Sequence, residues 1–242
     1  MVEFLVVAPL LLFFCFATVQ FVLLYQAKST LDVAALEAAR EGAVNHGSLA
    51  SMQTGLARGL APLYARQATA EGVQTAQAKA KFDVSNFSKI TTLNPSAVAV
   101  QDFAQLRFYP DEGMSYSEIP NDTLMYRDSA LARNSGVNIQ DANLLKVRVH
   151  YCYDMYVPLV NKVLYYAVNV IGNIGTGGIL NREPADENRD PYGSPRNPDF
   201  LCKVTLENGV NSGRWPIALE SEALVRMQSS YRAGAANDVK QP

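Results

Sequence analysis

Apolar residues run from Leu5 to Leu24 with only Thr18 and Gln20 as polar interruptions. A helix that is apolar on every side suits a bilayer interior, and this run reaches the roughly 20 residues needed to cross the core. Glu3 stands at its head, where a carboxylate is expensive unless it has a partner. No Lys or Arg precedes Lys28, so loop charge gives no orientation. A secretory signal would open with basic residues, carry a shorter apolar core and end at a small-residue cleavage site. Tyr25-Gln26-Ala27-Lys28 is a poor site of that kind, so a retained anchor is expected.

Beyond Leu24 the pattern turns from continuous to periodic. Gln26 to Gly42 has no proline and is rich in Ala, Leu and Glu, so the helix is expected to carry on. Leu31, Ala34, Ala35, Ala38, Gly42 and Ala43 share helical spacing and form a narrow stripe of small residues. Such a stripe lets another helix approach closely, either a neighbouring subunit's or one from the chain's own domain. Glu37 and Glu41 are four apart on one face and need a basic group nearby. Asn45-His46-Gly47-Ser48 breaks the helix, with Gly47 closing it and Ser48 as N-cap of the next. Leu49, Met52, Leu56, Leu60 and Leu63 then mark a second amphipathic helix, bent by Pro62. Ala65 to Lys81 reads as a further, polar helix.

From about Phe82 the composition shifts toward strand-forming residues. Ser88 to Leu93 is expected as a strand, followed by a short helix capped by Asn94, opened by Pro95 and ending near Phe103. Arg107 to Tyr126, with prolines at 110 and 120, reads as loop. The clearest strand is Leu145 to Val157: Leu145, Val147, Val149, Tyr151, Tyr153, Met155 and Val157 face one way, and Lys146, Arg148, His150, Cys152 and Asp154 the other. Leu159 to Ile171 is apolar nearly all round yet too short to span a bilayer. Such a helix is buried or has its exposed side covered by a partner or lipid, with Leu159, Val163 and Tyr166 as the candidate surface. Residues 181–199 form a long polar loop, and Trp215 to Met227 a second alternating strand. The fold class is α+β: a transmembrane helix extended into an amphipathic helical stalk, then a small, mainly antiparallel sheet with packed helices.

Composition narrows the chemistry. A net charge of -2 leaves no electrostatic footprint for nucleic acid, and 18% charged residues is below the globular norm. His46 and His150 are far apart, no zinc spacing or nucleophile elbow is present, and neither a cofactor nor a metal is expected. The glycines from Gly172 to Gly178 lead into Arg182-Glu183-Pro184 rather than a helix, against a dinucleotide loop. Asp186, Glu187, Asp190 and Asp199 lack EF-hand spacing and read as a solvated loop. No catalytic residue emerges. Cys15 lies in the span, while Cys152 and Cys202 are either a disulfide pair in an oxidising compartment or two separate buried thiols.

Met1-Val2-Glu3-Phe4-Leu5-Val6-Val7-Ala8-Pro9-Leu10-Leu11-Leu12, with Ala38-Ala39-Arg40-Glu41-Gly42-Ala43 further on, resembles the TadE-like minor pilins (pseudopilins) of tight-adherence type IV pilus systems. Asn143 to Val149 and Ala223 to Met227 are similar to two later strands of that family. The resemblance implies a non-enzymatic subunit that primes or tips the pilus by helix packing with sibling minor pilins and pilus subunits. Glu3 maps onto the family glutamate, implying pairing with the amino terminus of an adjacent subunit, with Phe4 beside it. Pro9 frees the carbonyl of Leu5 and permits a kink. Prepilin peptidase would be a further partner if a leader precedes Met1, which the third rather than fifth position of Glu3 favours. Residues 1–25 would be the inner-membrane helix, 26–81 the stalk, and 82–242 an α+β domain in the periplasm or, within the pilus, outside the cell. The rivals are a membrane-anchored scaffold of the pilus secretion machine and a tip adhesin using the 181–199 loop.

Overall fold

The computed structural model of the chain describes residues 2–166 and 215–234. Helix α1 runs unbroken from Val2 to Val44, so the apolar run and the small-residue stripe belong to one rod. Pro9 lies inside it. The rod stops where His46 and Gly47 both take left-handed backbone, with φ of 58° and 77°. The Gly47 N–H then donates to the Gly42 carbonyl at 2.8 Å, satisfying a group the helix end leaves open. His46 is held in place by Ser229, whose hydroxyl accepts its backbone N–H at 2.8 Å.

Helix α2 spans Leu49–Tyr64 with Ser48 at its N-cap, although the serine side chain makes no capping bond. Helix α3 covers Ala70–Phe87, a correction at both ends to the expected Ala65–Lys81. Its start is set by Thr69, whose hydroxyl accepts the Gly72 N–H at 3.1 Å. Its far end extends because Ala76, Ala80 and Val84, four apart, form a buried stripe that continues the helical period past Phe82. The Tyr64 hydroxyl donates to the Asp83 carboxylate, tying α3 to the end of α2.

Strand β1 is Ser88–Asn94 and helix α4 is Ala97–Phe103. Asn94 does not cap α4: Ser96 does, accepting the Ala99 N–H at 3.2 Å. The Asn94 amide instead donates to the Asp141 carbonyl at 2.7 Å, and the Asn94–Pro95 peptide is cis. The expected loop from Arg107 is in part a hairpin, β2 (Gln105–Tyr109) paired antiparallel with β3 (Met114–Ile119). Pro110 falls in its turn and Pro120 just past its end, where neither costs a ladder hydrogen bond. A 3-10 turn at Leu124–Tyr126 and helix α5 at Ile139–Ala142 lead to β4, Leu144–Asp154. Helix α6 is Val160–Tyr166, β5 is Pro216–Arg226 and β6 is Tyr231–Arg232.

The strands form two three-stranded antiparallel sheets, β1-β4-β5 and β2-β3-β6, so the fold is α+β. Two compact units result: Met1–Ser29 with Tyr151–Leu219, and Thr30–His150 with Glu220–Pro242. The larger is built on Leu31, Met52, Leu56, Leu60, Leu145 and Val147, all buried. The smaller buries Gln20, Tyr153, Met155, Val157, Val160 and Trp215.

Candidate assembly surface

The first turns of α1 carry Glu3, Phe4 and Pro9, the residues singled out for assembly. Phe4 and Pro9 are exposed, as are Val7, Leu10, Leu11, Leu12, Phe14 and Phe16 on every side of the rod. Its most apolar 18-residue window has a mean hydropathy of 2.4, and only 6% of it is buried. A helix that is apolar all round and uncovered is stable only in lipid or under other helices. A shallow groove runs along it between Val7, Leu10, Leu11, Phe14, Cys15 and Thr18. Thr18 does not disturb this surface, because its hydroxyl donates to the Cys15 carbonyl at 2.8 Å, inside the helix.

Cover begins at Gln20. Its side chain is 0% exposed, and its Oε1 accepts the backbone N–H of Val157 at 3.0 Å. The same unit holds Leu159 and Val163, the sequence-derived surface residues, and both are exposed, at 63% and 51%. Tyr166 closes α6, and the rest of the expected Leu159–Ile171 helix lies outside the described residues. Beside them Tyr153 packs edge-on to Tyr156 at 6.0 Å, and burial first, then Tyr156 and Asp154, pushes its hydroxyl up to about 12.

Further along α1 the small residues meet a partner within the chain. Ala34, Ala35, Ala38 and Gly42 are buried. Gly59 of α2 sits on Ala34 and Gly55 on Ala38, so that any Cβ at either glycine would run into the backbone of α1. A Cβ on Gly42 would meet the Met52 side chain at 2.7 Å. Pairs of small residues four apart on both helices let the axes approach closely, and the pairing order makes them antiparallel. Of the two homes left open for the stripe, the structure shows the chain's own α2. The signal overlooked in the sequence was the matching Gly55 and Gly59. Arg58, one residue before Gly59, reaches Glu41 at 2.5 Å and Glu37 at 3.3 Å, supplying the basic group those carboxylates need.

The sheet surface carries a polar constellation. Arg148, 5% exposed, places Nε 2.7 Å from Glu222 and 2.8 Å from Glu220. Lys146 lies 3.2 Å from Glu222 and His150 4.0 Å from Glu220, so a basic row on β4 faces an acidic pair on β5. Burial pushes the Glu222 carboxyl up, but hydrogen bonds and charge from Arg148 and Lys146 together outweigh it and hold the group below the usual range. On the other sheet Glu118, 1% exposed, accepts the Tyr109 hydroxyl at 2.8 Å, with Arg107 at 3.7 Å and Arg232 at 4.0 Å. Among the described residues no group of three His, Cys, Asp or Glu is placed to hold a metal. Cys152 is buried on β4; Cys202 and the 181–199 loop, with Asp186, Glu187, Asp190 and Asp199, lie outside the described residues.

Residues 1–40 match the family model described as TadE-like protein. The match spans the bare apolar rod and the Ala34 to Ala38 stripe and stops before α2. No curated protein and no solved structure matches the chain. The apolar helix and the TadE-like segment together point to a membrane-anchored protein associated with a tight-adherence pilus.

Proposed function

We propose that the chain is a minor pilin of a tight-adherence type IV pilus, a non-enzymatic subunit that primes the filament or sits at its tip. The observation that carries this reading is that the TadE-like match, residues 1–40, takes in the stretch of α1 from Phe4 to Val19 that is apolar and uncovered. The chain's own α2 already occupies the Ala34 and Ala38 stripe. Sibling subunits therefore contact the outer faces of the rod between Phe4 and Phe16. Glu3 pairs there with the amino terminus of a neighbour, an attraction strengthened by low dielectric and costly to leave half-made. Residues 1–25 are then the anchor, 26–81 the stalk and 82–242 the exported body in the periplasm, in which a Cys152–Cys202 disulfide forms.

Replacing Glu3 with Gln keeps the shape and removes the charge. The protein should still reach the membrane, while pili counted by electron microscopy or recovered by shearing fall at least about tenfold, as expected when one partner of a desolvated pair is lost. Normal pilus numbers in the Glu3→Gln strain would refute the pairing. Immunodetection of the wild-type chain in sheared pili tests the filament role itself. Its complete absence there would assign it to the membrane scaffold instead.

A further inference from the structure

We infer that the segment from Tyr156 to Val163 dips into the same membrane that α1 spans, with Leu159 and Val163 seated among the acyl chains as a second, monotopic contact. This goes beyond the pilus reading and needs only that α1 is a membrane helix.

The argument is one of depth. The apolar run is bounded by Glu3 at one end and continues to Leu24 at the other. At 1.5 Å per residue it measures about 30 Å, the thickness of a hydrocarbon core. Were the core to stop at Val19, the run from Leu5 would fill only about 22 Å. Yet Val157 is hydrogen-bonded to Gln20, about 6 Å inside the Leu24 end. On the other faces of α1 at this level Val19, Phe21, Val22 and Tyr25 are exposed, as a lipid-facing surface would be. Lipid that surrounds those faces reaches the level of the segment held against Gln20.

The segment is built for that setting. Hydrocarbon favours backbone groups that are satisfied internally, and five amides of the segment are. Pro158 has no amide hydrogen. The amide of Val157 donates to Gln20, that of Val160 to the Pro158 carbonyl at 2.9 Å, and that of Asn161 to the Val157 carbonyl at 3.0 Å. Lys162 N–H donates to the Asn161 side chain at 2.8 Å, and Val163 N–H to the Leu159 carbonyl at 3.1 Å. Leu159 takes a left-handed φ of 68°, rare for a branched apolar residue, and its side chain stays exposed. The polar and aromatic groups match an interface: Tyr156 is exposed, and the Lys162 ammonium lies 5.7 Å over the Trp215 ring. An exposed tyrosine and a long cation are what a headgroup layer accepts.

Trp215 is the only tryptophan of the chain, so Trp215→Phe gives a dark background for single tryptophans placed by Leu159→Trp, Val163→Trp and, as a control on α4, Val98→Trp. The full chain is reconstituted into phosphatidylcholine vesicles with plain or brominated acyl chains. Emission from positions 159 and 163 should fall about two-fold or more in brominated lipid, as for a residue inside the hydrocarbon boundary, and position 98 should not change. Unquenched red emission at 159 and 163 would put them in water, and unquenched blue emission would put them under protein. Either result overturns the inference. Should circular dichroism show that Trp215→Phe unfolds the chain, the wild type is irradiated in vesicles carrying a diazirine lipid. Adducts on the 156–163 peptide are expected, and their absence would equally overturn it.

Discussion

Arg148 shows how a single residue on a strand reads differently from its sequence pattern and from its surroundings. Alternation along β4 puts it on the polar face with Lys146 and His150, yet it is among the most buried charges of the larger unit. It tolerates burial because Glu220 and Glu222 both accept from its guanidinium. Removing one member of such a cluster leaves uncompensated charge, which costs more than the cluster itself contributes. Arg148→Ala should therefore lower stability by roughly 3 kcal/mol in denaturant titrations in detergent, whereas exposed Arg58→Ala should leave it nearly unchanged. The same cluster fixes a pH dependence. The folded Glu222 carboxyl titrates below its ordinary value, so its contribution is fully present above the unfolded pKa, about 4.3, and is lost as pH falls through the folded value. Unfolding followed from pH 6 to pH 3 should show a steeper loss for wild type than for Glu222→Gln, which lacks that proton uptake. Equal slopes would show that Glu222 titrates alike in the folded and unfolded chain.

At the scale of elements, turns and glycines decide what packs where. Gly47 and Gly113 share left-handed backbone, with φ of 77° and 64°, but differ in surroundings. A Cβ on Gly47 would enter the Tyr231 ring, whereas at Gly113 nothing lies within 4 Å. Gly113→Ala should cost about 1 kcal/mol, the backbone penalty alone, and Gly47→Ala at least about 1 kcal/mol more. Thermal melts of the two variants check this, and equal losses would mean that the ring moves aside freely. The turn also shows why some elements are legible and others not. α2, β4, β5 and the later half of α1 follow from hydrophobic period because each buries one face against its own chain. The β2-β3 hairpin escaped because Leu106, Phe108 and Met114 are exposed while Glu118, beside Ile119, is buried, against the pattern of a half-buried strand. Glu118 is buried because Tyr109 and two arginines satisfy it across strands, and partners distant in sequence leave no periodic trace. Asn94 was misassigned for the same reason, its amide being taken by the Asp141 carbonyl rather than by a helix start.

For the whole molecule, the N-terminal rod has two separable tasks. In the proposed reading, anchoring depends on the summed apolarity of Leu5 to Leu24 and tolerates changes of individual apolar residues, while assembly depends on one charge at its head. The sequence made the apolar rod visible, because continuous apolarity needs no tertiary partner to be read. It did not show where on α1 the body takes hold, since Gln20 meets Val157 more than a hundred residues away. The two tasks predict opposite signatures. Leu11 lies about 5 Å from the middle of the run and is exposed, so Leu11→Arg places a cation inside the core, costing up to about 2.5–3.5 kcal/mol on insertion scales. Alkaline carbonate extraction should then release a large part of the variant from membranes that retain the wild type. Glu3→Gln should stay as membrane-bound as wild type, because it removes a charge from the membrane end. If Leu11→Arg is retained as firmly as wild type, the rod is not the anchor, and the bare surface from Phe4 to Phe16 has to be covered by protein from the outset.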